Sequence, residues 1–469
     1  QNRAATDSEI DAMRTIVRDG MQAGALGLSI SRNGGHYDPQ GVLVPALWAE
    51  EKEIFALCDV LRELGTGIIQ SGGGNGAEVK TGLMSRLSEA TGRPVVYNNL
   101  SHSLRRPGQW KEQMAKIDAS VAKGIRAYPM CTPIRITDLF TMRNTQSFRG
   151  LPTWHPILIA PDEEKLRAYA DPEVRKKLHD EAVEFKVDVT PPGISRTWWD
   201  HVTVQQAVLA KNKGLEGKTI GQIAKEQGKG VIDALLDLAV EENLDTTFLQ
   251  SENNVDDDAV AQILTYPNAL IGLSDSGAHV QFQAGFGYGT RLLSEWVREK
   301  QVLSLETAVR RLTFESASIF GLHDRGLIQP GMAADIAVFD SATVIDHATY
   351  EAPTAPSDGI VHVIVNGKIA LRDGKATGEQ GGAVLRRTGQ MPSRPMGLGG
   401  ARQFSAAGSL RSFDGAAAGA KVAISLSQPA GRQRATGTLR VTQAGTGVVV
   451  EAVADIRPGR VAGGLGGCR

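Results

Sequence analysis

The feature that most constrains this fold is a series of short apolar runs alternating with amphipathic helices as far as about residue 322. The runs are "GALGLSI" from Gly24, "GIIQSGGG" from Gly67, "PVVYNNLSH" from Pro94, "IRAYP" from Ile125 and "NALIGLSDSGAHV" from Asn268. Strands that are apolar throughout belong in a parallel sheet covered on both faces, and parallel strands need crossover helices between them. An open doubly wound sheet and a closed barrel both satisfy this pattern. Polar residues recur where the runs end, at Gln70, Asn99, Tyr128 and Asp275. That recurrence favours the barrel, in which strand ends ring one mouth and carry the chemistry. No GxGxxG follows a first strand and no GxxxxGK[ST] occurs, so the nucleotide-binding alternatives lack their signatures. "GFGYG" at Gly285–Gly289 follows no phosphate-binding turn and reads as a flexible loop at the mouth.

The helices carry their own punctuation. Thr6 and Glu9 have capping-box spacing, with Ile10, Met13, Val17 and Met21 recurring behind them at helical intervals. "AEEKEIFALCDVLRELG" aligns Ile54, Leu57, Cys58, Leu61 and Leu64 on one face and stops at Gly65, a C-cap residue. A further helix is expected to start at Ser304. A chain that opens on Gln1, already in helical stride, is expected to be a fragment. From Leu327 the pattern changes to short β runs, and Asn366-Gly367 between two apolar strands signals a type I′ hairpin. The expected division is a partial barrel over 1–322, a small β domain over 323–388, a Gly/Ala/Ser-rich linker over 389–420 and a β-rich or disordered tail over 421–469.

Charge and cysteine usage narrow the class. The last 81 residues hold 10 Lys/Arg against 3 Asp/Glu, whereas the rest holds 41 against 49. The acidic body gives no electrostatic argument for nucleic acid, and no apolar run is long enough to span a membrane. Three scattered cysteines, Cys58, Cys131 and Cys468, fit a reducing compartment and hence a cytoplasmic location. Cys58 reads as packing, and Cys131 lacks a CxxC partner.

Asp275, in "IGLSDSGAHV", stands out because a buried strand turns abruptly into carboxylate, hydroxyls, glycine and imidazole. It can be a turn-forming Asp, with Ser274, Ser276 and Gly277 around it. It can instead be a metal-bound carboxylate that takes a proton from a metal-held water and returns it to a leaving nitrogen. His279 could bind substrate, assist a metal or only hydrogen-bond; its spacing does not decide. The other unusual cluster is "RTWWDHVTVQ", where Trp198 and Trp199 fit a core, or an apolar pocket for an acyl group.

"DDDAVAQILTYPNALIGLSDSGAHV", "AVRRLTFESASIFGLHDRGLIQPGMAADIAVFD" and "VIVNGKIALRDG" together resemble the amidohydrolase superfamily. With "AGALGLSISRN" they are similar to its N-acyl-D-amino-acid deacylase (D-aminoacylase) branch, from about residue 8 to 388. The resemblance implies an α/β fold, a (β/α)8 TIM-type barrel, N-terminally incomplete here, with a β-sandwich. It implies a divalent metal, usually zinc, and hydrolysis of the amide bond of N-acyl-D-amino acids, small-molecule substrates. Asp275 falls on the family's strand-eight aspartate, catalytic acid/base and metal ligand.

The chain departs from the family in three places. The His-x-His pair of the first barrel strand would lie upstream of Gln1, since no two of the nine histidines are two apart. Gln70 and Asn99 stand where metal-binding histidines are usual, and amide oxygens are poor zinc ligands; His102 is an alternative inward-facing group. The long loop from Met130 to His155 could reshape the pocket. A one-metal site with Asp275 as ligand is therefore expected, with Gln70, Asn99 and His279 facing substrate and Arg291 taking its carboxylate. The competing expectations are a cyclic-amide hydrolase of the hydantoinase or dihydroorotase kind, and an inactive fragment. Little turnover is expected of this chain by itself, and the activity named is that of its parent protein. The tail, "AISLSQPAGRQRATGTLRVTQAGTGVVVEAVADIRPG", resembles the opening strands of a copper/zinc superoxide dismutase, without any copper ligand.

Overall fold

The computed structural model describes residues 3–32, 36, 42–72, 81–145, 147–185, 197–280 and 283–386, with strand backbone at four short stretches beyond. The chain divides into two compact units. One comprises 1–288, 347–356 and 385–392; the other 289–346, 357–384 and 393–469.

The first unit is built on parallel strands. β1 (Gly27–Ser31), β2 (Ile68–Gly72), β3 (Val95–Asn98) and β4 (Ala127–Cys131) are separated by α2 (Glu51–Glu63), α3 (Leu83–Thr91) and α4 (Gln109–Ala122), with α1 (Asp7–Gln22) in front. Thr6 caps α1 in the expected capping box. Gly65, at φ +62°, follows the end of α2 as a left-handed stop. β1 and β2 approach so closely that a Cβ on Gly27 would lie 1.9 Å from the Ile68 carbonyl oxygen, so only glycine fits there.

The two faces of this sheet differ in chemistry. Leu28, Ile69, Val95 and Ala127 are level in register and pack with Ile54, Cys58, Leu61 and Leu87 of the helices. Because strand side chains alternate, the next row points to the other face. It holds Ser29, Gln70, Val96 and Tyr128. The helix-facing row is thus apolar, while the opposite row is largely polar, as the interior of a barrel is near its mouth.

After β4 the chain leaves the parallel sheet. The stretch expected as a long loop contains β5 (Ile136–Phe140), which joins β6 (Val202–Gln206) and β7 (Thr247–Asn253) in an antiparallel sheet of order β5-β7-β6. Between these strands run α5 (Trp154–Leu158), α6 (Asp162–Ala170), α7 (Pro172–Ala182), α8 (Ile220–Gln227) and α9 (Val231–Glu241). The insertion has its own core. Trp198 and Trp199 lie in it, with ring centroids 4.8 Å apart at 82°, and Phe148 stacks on Trp154 at 4.0 Å. Both tryptophans are buried. They fill the core, so an acyl pocket at this pair is overturned.

The chain returns through α10 (Asp257–Thr265) to β8 (Leu270–Ile271), which pairs in parallel with β4 and completes the order β1-β2-β3-β4-β8. The sequence suggested a longer strand here. Only two residues pair, and the chain has turned into a one-turn helix by Ser276.

In the second unit, Ser304 caps a helical run that continues to Phe320. β9 (Ile336–Phe339), β10 (Ile360–Val365), β11 (Lys368–Arg372) and β12 (Lys375–Ala376) form one antiparallel sheet, the described part of the expected sandwich. Asn366 and Gly367 both have positive φ, +47° and +81°, as a type I′ turn requires. Within the C-terminal region, backbone strands are described at Gly408–Leu410, Lys421–Ser427, Thr436–Gln443 and Thr446–Val450, in antiparallel order. The rest of the expected linker and tail lies outside the described residues. No described helix is long and apolar enough to cross a membrane.

Two outcomes are expected. Trp198→Ala should destabilise the protein by about 3–5 kcal/mol in urea unfolding, and a loss below about 1 kcal/mol would contradict the core assignment. Burial pushes the Cys58 thiol up to about 12, and Cys131 is also buried. Neither should react with iodoacetamide until the protein unfolds; native labelling at either, located by mass spectrometry, would refute their packing role.

Candidate active site

Asp275 follows the C-terminal end of β8, the same end of the parallel ladder at which Asn99 and the loop after Cys131 lie, whereas Gln70, expected at a strand end, sits in the middle of β2. Its backbone is left-handed, at φ +54°. This conformation comes four residues after the last paired residue, Ile271, and starts the turn Ser276–His279. The loop from Gln283 packs back on this end: a Cβ on Gly285 would lie 2.1 Å from the Ser274 carbonyl oxygen. Gly285 thus lies directly against the strand end, while Phe286 is exposed and Tyr288 opens a short helix.

The Asp275 side chain is 47% exposed, and its Oδ2 stands 3.6 Å from His279 Nε2. That is too long for a hydrogen bond but within the range of an ion pair with a protonated imidazole. A second carboxylate, Asp138 of β5, belongs to the same cluster. Burial among these groups pushes its carboxyl above the ordinary range, and Asp275 adds to the rise. A hydrogen bond from Gln283 Nε2 to Oδ1 (2.8 Å), His279 and the Arg105 guanidinium oppose it.

The other expected residues stand as follows. Gln70 is half-buried on the polar face of the sheet and accepts a hydrogen bond from Ser29 Oγ. Asn99 is half-buried just beyond β3, and its neighbour Asn98 has a buried Oδ1 without a partner among the described residues. His102 is buried; its backbone N–H donates to Asn254 Oδ1 at 3.1 Å, and its Nδ1 has no partner among the described residues. Arg291 belongs to the second unit, where Nε and Nη2 each lie 3.0 Å from Oδ2 of the buried Asp346. Arg291 could hold a substrate carboxylate only by giving up that pair.

Sequence reading passed over Asp138, Arg105, Glu252 and the Ser31–His36 contact, in which Ser31 Oγ is 2.7 Å from His36 Nδ1. A signal for Asp138 existed, because "ITDLF" places a carboxylate inside an otherwise strand-like run. Arg105 and Glu252 pair across 147 positions, a distance no local pattern reveals. The chemistry assembled here is a half-exposed carboxylate beside an imidazole, a second carboxylate, and amide groups along the adjoining strands. It suits proton transfer at a polar substrate. Among the described residues no three His, Cys, Asp or Glu side chains converge as a metal shell. Asp275 and His279 supply two donors, short of the four that zinc takes, so the described residues do not by themselves fit that ion.

Comparison with known proteins places the chain in a family. The chain is 29% identical over 397 residues to a D-aminoacylase of Alcaligenes xylosoxydans xylosoxydans, a match that takes in 82% of this chain and 66% of that protein, just under two thirds of its length. A solved D-aminoacylase, described as having a binuclear metal centre with one-metal activation and second-metal attenuation, superposes with a TM-score of 0.55 at 25% identity over 82% of this chain and 68% of that one. The N-acyl-D-glutamate deacylase from Bordetella bronchiseptica, solved with zinc and a phosphonate mimic of the tetrahedral intermediate, shares the fold with a TM-score of 0.52 at 23% identity over 80% and 66% of the two chains. The model of the amidohydrolase family matches residues 1–371, and the chain belongs to that family.

Proposed function

We propose that this protein hydrolyses the amide bond of N-acyl-D-amino acids, releasing a carboxylate and a free D-amino acid. The observation that carries the reading is the placement of Asp275: half-exposed, at the mouth end of the parallel strands, with an imidazole 3.6 Å away. Water adds to the acyl carbonyl carbon, and Asp275 takes the proton that the water sheds. The carbon–nitrogen bond then breaks as Asp275 returns that proton to the departing nitrogen, so one carboxylate serves as base and then as acid. Gln70 and Asn99 line the approach as hydrogen-bonding amides for the polar substrate, and His279 steadies charge at Asp275 in both halves of the cycle.

D-aminoacylase and N-acyl-D-glutamate deacylase support the substrate class by their likeness to this chain. A divalent ion, zinc in this reading, is supported by the zinc-bound deacylase, and a single ion by the one-metal activation described for D-aminoacylase. Such an ion makes water acidic enough to give up a proton near neutrality. Asp275 is the ligand this chain would offer it. Because the described residues do not complete a shell, the proton steps above are assigned to Asp275 alone.

Asp275→Asn should lower kcat for an N-acetyl-D-amino acid by about 10²–10⁴, while leaving the folded state intact by circular dichroism. Turnover within about threefold of wild type, well inside that range, would remove Asp275 from the mechanism.

A further inference from the structure

The loop that follows Asp275 and His279 brackets the turn that carries them. Gln283 N–H donates to the His279 carbonyl at 2.8 Å, at the far end of the turn. Two residues on, Gly285 lies against the carbonyl of Ser274, the residue before Asp275. Gln283 is itself held from outside this segment. Its side-chain Nε2–H donates to Asp138 Oδ1 at 2.8 Å, across 145 positions of sequence. Asp138 lies in the middle of β5, opposite Gln250 of β7. Gln250 Nε2 donates to Glu252 Oε2 at 3.0 Å, and Gln250 Oε1 accepts from Ser147 Oγ at 3.1 Å. Phe140, two residues beyond Asp138, stacks on Phe248 with ring centroids 5.5 Å apart. The strand cannot shift without breaking this ladder and its packing, so Asp138 Oδ1 is a fixed acceptor for a loop amide.

A carboxyl oxygen accepts a hydrogen bond whether the group is charged or neutral. The contact therefore needs an acceptor at this place rather than a charge. What it holds in register is the turn on which Asp275 Oδ2 stands 3.6 Å from His279 Nε2. Misplacing reacting groups by about 1 Å can cost about a hundredfold in rate, even when the cause lies away from the chemistry.

We propose that Asp138 is a positioning residue: through Gln283 it fixes the turn that carries Asp275 and His279, so the inserted antiparallel sheet sets the geometry of proton transfer at the parallel one. The effect on rate rests on the deacylase reading; the latch itself does not. Its test uses Asp138→Ala, Gln283→Ala, their double variant and Asp138→Asn, with thermal melting to show that each folds. Removing either partner should lower kcat for N-acetyl-D-leucine about ten- to a hundredfold with KM within about threefold, the split expected when only the reacting geometry is lost. The double variant should be no slower than the worse single one, because the two side chains act as a unit. Asp138→Asn keeps the acceptor and drops the charge, and should restore most of the loss. Hydrogen exchange reads the latch without turnover: the peptide from Ser276 to Gly287 should exchange about tenfold faster in both alanine variants, and close to wild type in Asp138→Asn. If Asp138→Ala fails to fold, Gln283→Ala and Asp138→Asn decide the matter. Unchanged exchange in the folded alanine variants overturns the assignment whatever the turnover. So does an active enzyme whose alanine variants keep their kcat, whose losses multiply in the double variant, or whose Asp138→Asn is as slow as Asp138→Ala. Faster exchange in the alanine variants, with no hydrolysis by wild type, sinks the deacylase reading and leaves the latch standing.

Discussion

The polar mouth of this molecule depends on how the end of β7 is tied down. Asn254 sends its side-chain amide to the carbonyls of Thr132 and Ile134, 3.3 and 3.2 Å away, and accepts the backbone N–H of His102 at 3.1 Å. Glu252 anchors Arg105 and Leu104. A single strand end thereby fastens the loop after β3 to the loop after β4. Buried polar groups are costly unless every one is paired, so such a cluster specifies one arrangement. It also fixes β5, the partner of β7, and with β5 the carboxylate of Asp138.

The second constraint is the brevity of β8. Two paired residues are enough to align it with β4, and the chain leaves the sheet after Ile271 and turns at the left-handed backbone of Asp275. A longer strand would carry the carboxylate past the mouth. The short one is followed by a turn that sets it 3.6 Å from His279. Gly285 makes this possible by letting its loop lie directly on the Ser274 backbone.

Local signals in the sequence proved sound where local physics decides the outcome. The capping box at Thr6, the stop at Gly65, the start at Ser304 and the Asn366-Gly367 turn each depend on a few neighbouring residues, and each is present. The apolar faces of the helices and the parallel runs were legible for the same reason. What local pattern could not convey is long-range pairing. The insertion between β4 and β8 reads as loop and helices because its antiparallel strands lie far apart along the chain. Asp138 went unnoticed within that stretch. Only Leu270 and Ile271 pair with β4, so apolar continuity alone overstated the strand. Trp198 and Trp199 were ambiguous between core and pocket until their partners Phe140, Phe148 and Trp154 were known.

The central claim is that this mouth serves the hydrolysis of an acylated D-amino acid, and product chirality tests it most directly. Racemic N-acetyl amino acid, offered to the zinc-supplemented protein beside hydantoin and dihydroorotate, should yield free D-enantiomer and acetate while the rings stay closed. Ring opening with the acylated D-amino acid left untouched would contradict the account and assign the mouth to cyclic amides.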